Sequence, residues 1–524
     1  MVQALFRWRV ALGSSNCNVT LRPMRHFGVL LLAFVSLHAQ TAPAEKQHLF
    51  IHVAIAPDLP GPYSGRLLVF VTAGKGAKEV DAIPFASSPT YVAAKEVENW
   101  KPGTLVDVDA DDVVYPEPLS TAKPGDYQMQ AVLDVGHTYN YLGRAPGGLL
   151  SDVVALGQGI TLSSVIPNHA NPRDLSNDKN IHPFTFASKA LTQFWGRATV
   201  IRGYVVTPPS YAQNPKAKFP TVYWTHGFGG NYERIERTAE DFVKRNAEKK
   251  IPEIIWVLLD ESCPTGTHEF ADSVNNGPWG RALTTELIPY LEANYRMDAK
   301  PNGRFLQGHS SGGWATLWLQ VTYPKIFGGT WSTSPDSSDF HDFTGPDLYA
   351  PHANVYRKPD GTAYPLVRDK GKVVATFEQF AREEVVAGTY SGQIASFDWV
   401  FSPRGQDGKP MPMFNRVTGE VDPFVAAYWR DHYDIAHLLA ANWNAIGPVL
   451  KGKIHLFVGT ADTFYLDGPA HKLQAVLDSL NADAHFTFIP DRTHFDLYKV
   501  GADTGGLFNQ IAQEMYAVAR PNKK

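Results

Sequence analysis

The chain has 524 residues, 44% of them hydrophobic and 19% charged, with 43 Gly and 38 Pro, so it holds ample material for large cores and has neither a disordered nor a collagen-like composition. Its 48 Lys and Arg against 52 Asp and Glu leave a formal net charge of -4, which removes any bulk electrostatic reason to expect a nucleic-acid or anionic-membrane partner. Two cysteines, Cys17 and Cys263, exclude a disulfide framework, an iron–sulfur cluster and a multi-cysteine zinc site.

From Met24, an alternative start, the chain reads Arg25, an apolar run from Phe27 to Leu37, then Ala39, Ala42 and Ala44. That is the layout of a secretory signal cleaved between about residues 39 and 44, too short for a membrane span, so residues 1–44 are expected to be an extension and signal, and the mature protein to be secreted or periplasmic without integral membrane association. From His48 to Val165 the segments are short, rich in Val, Leu and Thr, and broken every ten residues or so by Gly or Pro, the pattern of an all-β, immunoglobulin-like sandwich over residues 45–165. Within it Asp107, Asp109 and Asp111 alternate onto one strand face, which reads as the solvated side of the sandwich. The Asn-, Asp- and Pro-rich stretch that follows is expected to be a linker over residues 166–197.

After Ala198 near-continuous apolar runs alternate with helical stretches: TVIRGYVVTP, FPTVYWTHG, EIIWVLLDE, GRFLQGH, GGTWSTS, KIHLFVGTAD and AHFTFIPD. Strands buried on both faces must read this way, so residues 198–524 are predicted to form a mostly parallel sheet with helices on both faces. Roughly 120 residues separate the strand near Ser332 from the one near Lys453, far more than a crossover helix needs, and a cap-like insertion is expected at about 333–452, with one helical candidate in YWRDHYDIAHLLAANWNAI.

Chemistry concentrates in GHSSG, Gly308 to Gly312, between a predicted strand and a predicted helix. A sharp strand-to-helix turn would lift the Ser310 hydroxyl above the sheet, with glycines where side chains would collide with backbone, and the next amide, on Ser311, opens a helix toward developing negative charge. Serine needs a base held in one tautomer by an acid. Later strand ends offer Asp462, with Asp467 and Asp491 as rivals, and His494, with His226, His309, His432 and His437 competing. The order Ser, Asp, His is that of hydrolases on such sheets. The loop HGFGG, His226 to Gly230, lets a backbone amide approach a substrate, and the N–H of Phe228 is the natural second oxyanion donor beside Ser311. Trp314 and Trp318, four apart on the helix after Ser310, are expected in the core, whereas Trp279, in a Gly- and Pro-containing loop, is the better pocket candidate. Cys263 is expected to be an unpaired loop thiol.

HGFGG, the stretch from Asp272 to Arg296, GHSSGGWATLW, GTAD and the terminal THFD together resemble the putative esterase family, also called the esterase D family, over roughly Trp195 to the C-terminus. The resemblance implies an α/β-hydrolase fold, preceded here by the β-sandwich, with Ser310 as nucleophile, Asp462 as acid and His494 as base, and a carboxylic ester hydrolase that forms an acyl-enzyme and needs no metal or organic cofactor. The expected partner is a small-molecule or polysaccharide-linked ester, carbohydrate-linked, phenolic or of siderophore type, and no nucleic acid. The long insertion departs from the family and leaves the substrate class open. Acyl transfer uses the same intermediate and stays open, as do a serine peptidase, short of a propeller, and a non-catalytic carbohydrate-binding protein on a hydrolase scaffold.

Overall fold

The computed structural model describes residues 48–82, 90–167, 179–390 and 392–522; the expected signal segment, with Cys17, lies outside them. Eight strands build the carboxy-terminal sheet: β1 (Ile181–Ala187), β2 (Val200–Val206), β3 (Thr221–Thr225), β4 (Ile255–Leu259), β5 (Arg304–His309), β6 (Gly329–Thr333), β7 (Ile454–Gly459) and β8 (Ala484–Ile489). Their order is β1-β2-β4-β3-β5-β6-β7-β8. β2 runs antiparallel to β1 and β4, and all the other neighbours are parallel. The expected mostly parallel sheet is therefore a mixed one, and its order and strand directions are those of the α/β-hydrolase fold.

The apolar runs follow from burial on two sides. All five residues of β4 are buried: Ile255, Val257 and Leu259 join one core, Trp256 and Leu258 the other. Alternate side chains enter different cores, so neither face can carry a polar period.

Residues 166–197 were expected to be a linker, but they contain β1 and a helix, Lys189–Trp195. Pro183 made the segment read as loop, yet β1 is the edge strand, where a residue without an N–H is tolerated. Ser188 caps the helix by accepting from the Leu191 amide, and the Glu286 carboxylate accepts from the Ser188 hydroxyl and the Lys189 and Ala190 amides.

Among the described residues the amino-terminal strands form one continuous hydrogen-bonded sheet of nine, bent so that Ile51, Val53 and Ile160 from one end share a core with Leu67, Val69 and Ala93 from the other, and its ladder does not divide into the two sheets of the expected immunoglobulin-like sandwich. Strand Phe50–Ile55 pairs parallel with Ile160–Val165. The long strand Tyr63–Ala73 sends Leu67, Val69 and Val71 into the domain's own core and Leu68 and Phe70 to the opposite face, where they meet Val132 and Val386. Val386 belongs to the insertion, so the outer face of this sheet is docked on it. Alternation along each segment is the same for either pairing, which is why the two-sheet immunoglobulin arrangement could be expected from sequence. Asp107 sits opposite His52 and Asp109 opposite Phe50, and their carboxylates lie 2.6 Å from the His52 ring and 2.7 Å from the His48 ring respectively.

The described residues of the insertion have regular structure. It carries a hairpin (Pro365–Asp369 with Lys372–Thr376) and the helices Phe377–Ala387, Gln393–Phe401 and Pro423–Tyr433, and it ends in helix Ile435–Leu450 leading to β7. The one expected helix is two: Asp434 ends the first and caps the second, its carboxylate accepting from the His437 amide. Among the described residues no helix is long and apolar enough to cross a membrane.

Candidate active site

Ser310 stands between β5 and helix Ser311–Thr322 with φ 61° and ψ −128°. A left-handed backbone at a non-glycine residue costs energy and persists only where surroundings enforce it. Here the Ser310 amide donates to the Thr333 carbonyl (3.0 Å), and the Ser310 carbonyl accepts from Trp314 (3.0 Å) and Asp336 (3.3 Å). A Cβ on Gly308 would lie 2.2 Å from the Gly312 carbonyl oxygen, and one on Gly312 would lie 2.4 Å from that of His226. Both glycines are thus needed for the close approach expected of them. Ser311 is the first residue of its helix, so its amide has no intrahelical acceptor.

The loop after β3 crosses directly over this turn. A Cβ on Gly227 would come 2.9 Å from Ser310 Cβ, which places the chain beside Phe228 against the elbow. His226 is buried beneath it, its Nδ1 2.8 Å from the Gly227 carbonyl and its Nε2 3.1 Å from the Glu261 amide and 3.3 Å from Asp260 Oδ1. Burial lowers the pKa of His226, but Asp260 and Glu261 more than offset it and the net shift is upward. His226 therefore shapes the loop and is not poised as the base.

Asp462, after β7, and His494, after β8, meet: Asp462 Oδ2 lies 2.9 Å from His494 Nδ1, with the two residues 0% and 4% exposed. The other oxygen, Oδ1, accepts from the Phe464 amide at 2.9 Å and lies 3.5 Å from that of Leu466. Burial alone would raise the Asp462 pKa; the adjoining imidazole and the Phe464 amide outweigh it and leave the carboxyl below its ordinary value. Phe464 packs edge-on to the His494 ring at 4.9 Å and also lines the cleft onto which Ser310 opens. Asp467 is not joined to the histidine: its carboxylate takes the Arg368 guanidinium at 2.6 Å. His309 lies 4.5 Å from the His494 ring, and burial, reinforced by His494, lowers its pKa to about 3. His432 and His437 lie in the insertion's last two helices.

The cleft itself is apolar. Phe343, Leu366, Phe377, Phe380, Ile394 and Phe397 of the insertion form its wall, with Ser310, Asp336, Ser337, Thr344 and Gln393 as polar points. Asp336 is buried at the cleft wall; its Oδ2 accepts from the Ser311 hydroxyl (2.6 Å) and from Gln393 Nε2 (3.2 Å). Burial pushes its carboxyl up to about 6 against those bonds. Asp336 was missed in the sequence although it follows β6 as Asp462 follows β7. Phe377 and Phe380 had a weaker signal, the Thr376-to-Gln379 capping box that opens their helix, whereas Gln393 begins a helix with no side-chain cap of its own and had none.

Trp279 does not line this cleft. It is 6% exposed, stacked on His268 at 3.7 Å, with Nε1 donating to the Asn276 carbonyl at 2.8 Å. Its loop closes inward because the indole N–H finds a main-chain acceptor there, so the pocket reading of Trp279 is corrected to a core role. Trp314 and Trp318 are buried in the core as expected. Cys263 is a free thiol beside Thr265, and burial pushes its pKa up to about 11, far from a nucleophile's range.

A profile of the family described as "Putative esterase" matches residues 198–487, more than half of the chain. The uncharacterized protein YbbA of Bacillus subtilis (strain 168) is 28% identical over 138 residues, 24% of this chain and 53% of that protein, so the chain spans about half the length of this curated relative. Among solved structures, a ferulic acid esterase aligns with TM-score 0.40 and 13% identity over 65% of this chain and 97% of its own. The Staphylococcus aureus fluorophosphonate-binding serine hydrolase FphF aligns with TM-score 0.38 and 13% identity over 65% and 98%.

Proposed function

The chain belongs to the putative esterase family, and from that premise we propose that it is a serine carboxylic ester hydrolase working through Ser310, His494 and Asp462. The observation that carries this reading is the buried Asp462–His494 pair beside the cleft onto which the strained Ser310 turn opens. Ser310 attacks the ester carbonyl while His494 Nε2 takes its proton, Nδ1 being held by Asp462. The amides of Phe228 and Ser311 face the oxyanion, and His494 then protonates the departing alcohol. Water releases the acyl group by the same route reversed. The six apolar side chains of the insertion favour an apolar or aromatic acyl group, and the alcohol leaves toward solvent. Export follows from the layout of residues 24–44 alone.

The test is turnover of p-nitrophenyl acetate, acetylated xylan, methyl ferulate and a catecholate siderophore ester by the wild type and Ser310→Ala side by side. A fall in turnover of about 10⁶-fold in the variant, down to the residual that the oxyanion donors and binding alone sustain, with methyl ferulate favoured over acetylated xylan, supports the reading. Equal turnover by both proteins would refute the nucleophile.

A further inference from the structure

We propose that the amino-terminal sheet is a working part of this site, with Tyr141 and Glu384 as positioning residues that hold Gln393 against the Asp336–Ser311 pair beside the nucleophile. The inference rests on the ester hydrolase reading and assigns roles to residues outside its catalytic set.

The argument begins at Gly392, which opens helix Gln393–Phe401 and has no side chain with which to cap it. The first amides of a helix need acceptors, and here they come from another helix: Glu384 Oε1 accepts from the Gln393 amide at 2.7 Å and Oε2 from the Ile394 amide at 3.1 Å. Position 392 must be glycine, since its φ is +90° and a Cβ would fall 2.0 Å from the Glu384 carboxyl carbon. The backbone is thus shaped around a buried carboxylate.

That carboxylate is anchored from the other side by the amino-terminal domain. Tyr141, in the segment after strand Tyr127–Asp134, donates its hydroxyl to Glu384 Oε1 at 3.1 Å and lies 3.3 Å from the Gln393 amide. Its ring meets Phe380 at 5.7 Å and Phe228 of the oxyanion loop at 6.3 Å. Arg66 adds a second tie, donating to the Val386 carbonyl at 2.8 Å.

On the cleft side Gln393 continues the route. Its Nε2 donates to Asp336 Oδ2 (3.2 Å) and lies 3.3 Å from the Ser311 hydroxyl, which itself donates to Asp336 at 2.6 Å. Ser311 carries the amide next to Ser310. A series of hydrogen bonds, joined through the covalent frames of Gln393 and Ser311, therefore runs from Tyr141, in the segment after strand Tyr127–Asp134, to the residue whose amide is the proposed oxyanion donor. The commonest helix caps are side-chain oxygens of the capping residue itself, whereas this one comes from a buried carboxylate that a second domain also holds. Routing it through a buried Glu and a second domain carries a desolvation cost that alignment of the cleft wall accounts for.

The experiment is a double-mutant cycle in the full chain with Tyr141→Phe, Gln393→Leu and both together. The readouts are the rate of Ser310 labelling by a fluorophosphonate probe, kcat and KM for p-nitrophenyl butyrate, and Tm. Tyr141→Phe keeps the ring and removes only the hydroxyl. The expected result is an approximately fivefold fall in labelling rate and kcat for Tyr141→Phe with KM within about twofold, and a double variant no slower than the slower single variant, because both changes cut one route. Wild-type rates for Tyr141→Phe, or losses that multiply in the double variant, overturn the proposal. If Tyr141→Phe does not fold, Glu384→Gln, which keeps the shape and one acceptor, takes its place in the cycle under the same two outcomes. A wild type that fails to label refutes the esterase reading itself, whereas a wild type that labels beside unaffected variants refutes only the positioning role.

Discussion

Replacing Asp462 by Asn tests the assignment of the acid more sharply than replacing it by Ala, because its two oxygens have different partners. Oδ1 accepts from the Phe464 amide at 2.9 Å, while Oδ2 faces His494 Nδ1 at 2.9 Å. In Asp462→Asn the main-chain donor retains the amide oxygen, so the NH2 group turns toward His494. Nδ1 must then present its lone pair, the ring proton moves to Nε2, and the imidazole can no longer accept the proton of Ser310. With the pair almost sealed from water, no solvent molecule substitutes for the lost acceptor. The expected loss of kcat is about 10³- to 10⁴-fold, or about 4 to 5.5 kcal/mol of transition-state stabilisation, with little change in KM. The control is Asp467→Asn, whose partner is Arg368 and not the histidine, and which should retain at least about a third of wild-type kcat. Steady-state kinetics on p-nitrophenyl butyrate decides the matter. An Asp462→Asn enzyme within tenfold of wild type, or an Asp467→Asn enzyme that is the slower of the two, would show that the acid has been misassigned.

Other consequences are equally direct. Glu261 is fully buried behind the His226–Gly230 loop, and burial raises its pKa from 4.5 to about 8. The folded state therefore holds this proton more tightly than the unfolded chain; the stabilisation is complete below pH 4.5 and is lost as pH climbs through 8. Glu261→Gln removes that loss, so its unfolding free energy should gain on the wild type by about 1.4 kcal/mol per pH unit between pH 5 and 8, and parallel denaturation curves across that range would contradict the reasoning. Trp279→Phe, which deletes the indole bond to Asn276 in the core, should cost about 1 to 2 kcal/mol of stability and leave KM within twofold of wild type; a KM raised tenfold in folded protein would return Trp279 to the pocket.

What could be read from the chain followed from short-range rules. Strands buried on both faces leave continuous apolar runs, so β2 to β7 stood out in the sequence, while β8, an edge strand with no buried residue, stood out by alternating Ala484, Phe486 and Phe488 with His485 and Thr487. β1 did not, because an edge strand tolerates Pro183 and half-exposed polar residues, and the same composition marks a loop. The amino-terminal strands were legible one at a time, but which strand lies beside which is decided by contacts far apart in sequence, and the nine strands closed into one sheet. The two helices at 423–450 merged into one because Asp434, a single extended residue, interrupts an otherwise unbroken helical composition.

The site divides along the same line. Ser310, Asp462 and His494 were visible because each sits where a strand ends, at the edge of the sheet where loops converge, and Gly308 and Gly312 because only glycine admits the backbone that crosses there. Asp336 satisfied the same rule, but its neighbours Ser311 and Gln393 give it meaning, and Gln393 lies far along the chain. Tyr141 is more remote still: no local pattern distinguishes a loop tyrosine that reaches a buried glutamate 243 positions away from one that faces solvent. Local rules thus recover the groups to which we assign the chemistry, since reaction geometry would constrain them to strand ends and tight turns. The groups we propose to hold them in register are brought there by packing between domains, and packing leaves its signature only in three dimensions.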